Sequence, residues 1–202
     1  MRSTKFPLVA ALSLVTLLAG SSYAAGFSAG IGAGIHKFTG DAGEGIKTGI
    51  VVQAFGDYMI SPMWAAGADL GYSTSKHEDD GKLAEDVYPG GGLTGKISSS
   101  FKVTSFGAHA KFFPPMTGSP IAPYLVAGVG MYNWKGEWSV PGQSQDESGT
   151  DFGFRGGAGA NYSVNPVFGI NAEADFRSIM TENESTNMFS VRAGVVFKLA
   201  SK

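Results

Sequence analysis

The chain contains no cysteine. That excludes a disulfide framework, a thiolate metal site, a cysteine nucleophile and a lipid-modified cysteine anchor. Charge is sparse and unbiased: 15 Lys and Arg stand against 17 Asp and Glu, for a net charge of −2. Nucleic-acid recognition wants a basic patch, so nucleic acid is not an expected partner. Past the N-terminal region no window holds 18 consecutive apolar residues, which leaves no second transmembrane helix. If the remaining chain enters a bilayer, every backbone polar group must be satisfied inside it, and that requires a closed barrel.

The apolar run that does exist lies at the start. Arg2 and Lys5 precede the run from Leu8 to Ala19, which is followed by Ser22-Tyr23-Ala24. A basic stretch, a short apolar core and small residues at the cleavage positions form a secretory signal. The expected division is a signal peptide over residues 1–24, cleaved after Ala24, and a barrel domain over 25–202, a length that suits one domain.

What is plentiful is glycine: 30 residues, with no three-residue period, at roughly twice the usual level. From residue 25 on the hydrophobic period is two. Phe168, Ile170, Ala172, Ala174 and Phe176 alternate with Asn171, Glu173, Asp175 and Arg177. Phe189, Val191, Ala193, Val195, Phe197 and Leu199 alternate in the same way with Ser190, Arg192, Gly194 and Lys198. Both runs exceed the usual soluble strand and fit a tilted spanning strand of about 9–11 residues. The same reading places strands near 26–38, 48–60, 64–75, 99–113, 121–135, 150–163, 166–179 and 188–199. Connections at 61–63, 114–120 and 164–165 are short and carry Pro or Asn, which favour turns. Those at 39–47, 76–98, 136–149 and 180–187 are mostly longer and net acidic. Short turns on one rim and long loops on the other form the pattern of an eight-stranded antiparallel up-and-down transmembrane β-barrel in the outer membrane of a Gram-negative bacterium. An even strand number puts both chain ends at the short-turn, periplasmic rim.

Aromatic spacing agrees. Trp64/Tyr72, Phe154/Tyr162, Phe168/Phe176 and Phe189/Phe197 are each eight residues apart on one face. With tilted strands that interval covers roughly 20 Å along the membrane normal, close to the height of the apolar band between two aromatic girdles. Strand four is less regular: Phe101 and Phe112 fall in opposite phase, which suggests a bulge. In strand five either Tyr124 and Tyr132, or Leu125, Ala127, Val129 and Met131, could form the lipid face. Trp134 and Trp138 with Tyr132 read as part of the upper girdle, with a host-contact patch as the alternative.

The other face carries glycine and mixed charge. Asp57, Asp69, Glu173 and Asp175 stand against Arg155, Arg177 and Arg192, with His36, His109 and Gln53 at similar depth. The interior of an eight-stranded barrel is just wide enough for side chains to fill. Isolated charges there are costly, so a paired lumen network of those seven residues is expected. A gated pore is the alternative. Catalytic readings fare worse. His109 has Ser105 and Glu173 as conceivable partners, but neither His109 nor His36 is followed by a serine two residues on, as a barrel deacylase would have it. The acidic stretch His77-Glu78-Asp79-Asp80-Gly81 lacks calcium-loop spacing. No enzyme activity, cofactor or metal is expected.

On these grounds, residues 26–199 resemble the OmpA/OmpX-like small outer-membrane β-barrel superfamily. The most specific piece is Arg192 to Leu199, where Arg192, Gly194, Phe197 and Leu199 look like the signal read by the barrel-assembly machinery. Pro123-Tyr124 followed by Ala127-Gly128-Val129-Gly130 looks like a strand common in the superfamily. The resemblance implies a scaffold or surface-interaction protein. Its expected partners are outer-membrane lipids and lipopolysaccharide, the assembly machinery during biogenesis, and a host surface ligand. A narrow channel for small solutes, a lipid A-modifying enzyme and a soluble eight-stranded carrier are the alternatives.

Overall fold

The computed structural model describes residues 26–39, 46–79, 97–116, 118–140, 143–181 and 185–199. The expected signal peptide lies outside these residues. The strands are β1 (Phe27–Thr39), β2 (Gly49–Ser61), β3 (Trp64–Asp79), β4 (Ile97–Phe112), β5 (Ile121–Val140), β6 (Gln143–Ser163), β7 (Phe168–Met180) and β8 (Ser185–Leu199). Each pairs antiparallel with its sequence neighbour, and β1 pairs with β8, so the sheet closes on itself. Closure removes the exposed strand edges that a bilayer would not tolerate.

Alternation sets the two faces. Along β7, Asn171, Glu173, Asp175 and Arg177 are buried while Ile170, Ala172 and Phe176 are exposed. The outer wall is a belt of large apolar side chains that includes Ile31, Ile35, Leu70, Phe106, Val129 and Phe154. The paired aromatics Trp64/Tyr72, Phe154/Tyr162 and Phe189/Phe197 also lie on that wall. A water-soluble barrel would present the opposite arrangement, so the exposed belt is a lipid-facing surface.

The structure settles strand five. Tyr124 is 2% exposed and points inward, whereas Leu125 is 57% exposed on the lipid face with Val129 and Met131. It also corrects strand four. The β3–β4 and β4–β5 registers run without a shift from one end to the other, so β4 carries no bulge. Phe101 and Phe112 differ in phase because Phe101 points into the barrel and Phe112 points out beside Trp64. The strand ends are corrected too. β3 and β4 pair as far as Asp79 and Ile97, and β5 and β6 as far as Val140 and Gln143. Residues placed in two long loops are therefore tall hairpin walls. At the opposite rim β7 begins at Phe168, because the Asn165 side chain accepts hydrogen bonds from the amides of Val167 and Phe168 and holds a tight turn.

Candidate functional site: the ionic lumen and its outer closure

The middle of the lumen is filled by charge. Arg155 on β6 donates from Nη1 to Asp69 Oδ2 at 2.8 Å and from Nη2 to Glu173 Oε1 at 3.0 Å. Arg192 on β8 bonds both Glu173 and Asp175, and donates to Ser190 Oγ at 2.7 Å. Arg177 donates from Nε to Asp175 Oδ2 at 2.9 Å, and Ser190 Oγ also bonds Asp175. On the other side of the barrel, His109 places Nε2 2.7 Å from Asp57 Oδ1 and Nδ1 2.9 Å from Asp69 Oδ2. The seven residues singled out from sequence are thus brought into one connected cluster.

Sequence reasoning missed one charged member. Lys111 is 1% exposed and donates to Asp57 Oδ2 at 2.7 Å. Its ammonium also lies 4.3 Å from the centre of the Phe55 ring and 4.9 Å from that of Tyr124. With Lys111 included, four carboxylates face four Lys or Arg side chains. The signal was present: Lys111 is in phase with Gly107 and His109, and only the expected bulge disguised it. Tyr124 extends the cluster downward, donating to Glu173 Oε2 at 2.8 Å and accepting from Asn171 Nδ2 at 2.8 Å.

Glycine makes the space. Gly67 pairs with Asp57 on one side and His109 on the other. A Cβ there would sit 2.6 Å from Asp57 Oδ1 and 2.7 Å from His109 Nε2. The Asp57–His109 bond therefore depends on a residue without a side chain at that position.

Above the ions lies an apolar plug. Phe38, Val103, Tyr132, Ile179 and Met188 are buried together, with Phe101 and Trp134 packed on them. Phe38 meets Phe101 edge-on at 5.4 Å, and Phe101 stacks on Trp134 at 6.0 Å. Tyr132 and Trp134 are therefore lumen residues and not part of an outward girdle or host-contact patch; the Trp138 side chain lies outside the described residues. His36 sits just below, buried, 2.7 Å from Ser75 Oγ, with no carboxylate on its other ring nitrogen. Below the ions a cavity of about 510 Å3, bordered by Phe27, Met59, Phe113 and Val196, opens at the short-turn rim.

Outside the barrel, at its tall end, a second polar group decorates the wall. Glu137 on β5 accepts from Lys102 Nζ at 2.9 Å and Ser100 Oγ at 3.1 Å, and pairs with Lys135 at 3.1 Å. Hydrogen bonds from Lys102, Lys135 and Ser100 hold the Glu137 carboxyl down to about 2, and Glu137 in turn raises Lys135. His77 belongs to the same end of β3, but its side chain lies outside the described residues. Among the described residues no cluster of His, Asp or Glu has the makings of a metal site.

An apolar outer wall around an ion-filled centre defines a transmembrane β-barrel of the outer-membrane class. The family model for the outer membrane protein beta-barrel domain matches residues 8–197, and the chain belongs to that family. No curated protein matches. Among solved structures, Neisserial surface protein A is similar at 21% identity and a TM-score of 0.58, covering 86% of this chain and 97% of that one. A major outer membrane protein from Thermus thermophilus gives 15% identity and a TM-score of 0.61, covering 88% and 100%. Ail, the attachment invasion locus protein of Yersinia pestis, solved with the heparin analogue sucrose octasulfate, gives 17% identity and 0.52, covering 87% and 97%. At these identities the likeness is one of fold.

Proposed function

We propose that this protein is a closed scaffold of the outer membrane, whose tall hairpins and outer wall engage lipopolysaccharide or a host surface ligand. The observation that carries this reading is the double closure of the lumen. Ion pairs fill its middle, and the plug of Phe38, Val103, Tyr132, Ile179 and Met188 seals its outer end. Permeation would need both layers to move. The histidines serve packing in this reading: His109 is held between two aspartates, and His36 faces a serine away from the lipid. The extended β5–β6 pair, 20 and 21 residues long, supplies a rigid surface for contact.

Purified barrel in planar bilayers tests the reading. The scaffold predicts silence from the native chain. Resolved current steps that change in Arg155→Met or Glu173→Gln would establish the channel alternative instead.

The last strand carries a second proposal. Arg192 is tied into the lumen, while Phe197 and Leu199 face outward at the short-turn rim. That leaves Phe197 and Leu199 accessible to an assembly factor before the barrel closes. Phe197→Ala with Leu199→Ala should cut the yield of folded barrel in cells severalfold while leaving unassisted refolding into thin-lipid vesicles close to native. An equal loss in both settings would mean that these residues act in packing, beside Phe168, and not as a signal.

A further inference from the structure

The outer wall separates its cations in an uneven way. All three arginines of β6–β8 and Lys111 are buried in the lumen. Lys37, Lys76, Lys102 and Lys135 instead lie in the outward phase at the tall end of β1, β3, β4 and β5. Among the described residues, the matching outward positions of β6–β8 are Asp146, Ser148, Thr150, Ser178, Met180, Ser185 and Asn187, none of them basic. The basic sector is therefore one-sided and centred on β3–β5.

Its centre is unusual. Lys102 and Lys135 are direct cross-strand partners. Like charges directly opposite each other destabilise a sheet pair. The neighbouring register position places Ser100 beside both Lys76 and Glu137. The Glu137 carboxylate sits among three donors from two strands: Ser100, Lys102 and Lys135. That is a cradle for an anionic oxygen cluster, held now by Glu137, with the more exposed Asp146 of β6 reaching Lys135 from the other side at 3.5 Å.

Depth places the cradle at the membrane surface. Lys102 and Lys135 each stand four residues beyond the lipid-facing pair Phe106 and Met131. On a tilted strand that is about 10 Å further from the membrane centre. The group faces sideways into the headgroup layer and not upward into bulk water. Long lysine stems can lie along the wall while their ammonium groups reach the phosphate level.

We propose that Ser100, Lys102 and Lys135, flanked by Lys76, form a binding site for the phosphates of lipid A in the surrounding leaflet. A phosphate carries more negative charge and more acceptor oxygens than Glu137, so it competes with that carboxylate for the same donors. Glu137 then acts as a placeholder that keeps the two lysines extended when no lipid is bound. The inference deepens the scaffold reading by naming what the wall holds. Bilayer silence tests that reading separately, so a closed barrel that ignores lipid A would overturn this inference alone.

The test is titration of the folded barrel in detergent with bisphosphorylated lipid A, followed by native mass spectrometry. Lys102→Gln/Lys135→Gln should weaken binding about tenfold or more. Glu137→Gln should strengthen it severalfold, an opposite sign that a merely structural ion cluster would not produce. Dephosphorylated lipid A should bind the native chain about tenfold or more weakly than lipid A does, a comparison that needs no variant and holds even if the double variant folds poorly. Equal binding of the two lipids, or an unchanged double variant, would overturn the site. Inorganic phosphate matching lipid A would overturn the lipid as its ligand. So would sucrose octasulfate binding more tightly through the same lysines, which would assign the sector to a soluble sulfated sugar.

Discussion

Arg155→Met is expected to cost the folded barrel about 3–5 kcal/mol, the usual loss when one partner of a buried ion pair is removed. Arg155 joins the carboxylates of the two halves of the lumen. It bonds Asp69 from β3 and Glu173 from β7, and its Nε lies 3.6 Å from Asp175 Oδ2. Methionine fills much of the same volume but leaves four carboxylates with three Lys or Arg partners. The excess charge stays inside because Asp69, Glu173 and Asp175 are themselves buried among packed side chains, at 6%, 7% and 1% exposure. Urea titration in lipid vesicles, read by tryptophan fluorescence and by the heat-shifted gel band, measures the loss. The double variant Arg155→Met/Glu173→Gln should recover part of it by removing the stranded carboxylate. Lys198→Met, at an exposed contact with Ser163, should change stability by no more than about 0.5 kcal/mol. If Arg155→Met behaved like Lys198→Met, the lumen would be wet and its ion pairs screened.

The barrel itself was legible because its two faces obey different chemistry. Residues such as Ile170, Glu173, Phe176 and Arg177 keep their phase over a whole strand, and only a closed sheet between lipid and a crowded centre rewards that pattern. The charged members of the lumen were legible for the same reason. Which pairs form was not, because pairing across the lumen depends on shear and side-chain reach. Asp69, for example, meets Arg155 of β6, far from it in sequence.

Two misreadings have one cause. At the outer ends of the strands the inward phase turns from polar to apolar: Phe38 follows His36, Ile179 follows Arg177, Val103 precedes Ser105, and Met188 precedes Ser190. Read strand by strand, these residues look like phase slips or girdle aromatics, and Phe101 suggested a bulge. Taken together they meet at one level and form the plug. The position of Lys111 was hidden by the same supposed slip. Strand ends were placed too early because the tall hairpins leave the hydrocarbon layer, and at the headgroup level Lys135, Glu137 and Asp146 have no apolar partner to mark a strand.

A charge placed on the lipid wall should reveal that the wall is dry. Ala172 faces outward midway between Phe168 and Phe176, opposite Ala160 and Ala193 on the neighbouring strands. Ala172→Arg is expected to lose about 2–4 kcal/mol in lipid vesicles, the cost of arginine at the bilayer midplane. Ser178→Arg, two residues beyond Phe176 on the same face, should lose only about 0–1 kcal/mol, because its guanidinium reaches the headgroups. Ala172→Leu should be close to neutral, which separates charge from bulk. The gradient between the two arginine variants is the discriminating quantity. A barrel standing in water would accept arginine equally at both positions, since both side chains would be solvated. Equal costs at 172 and 178 would therefore contradict a hydrocarbon-facing wall, whatever the strands and the lumen look like.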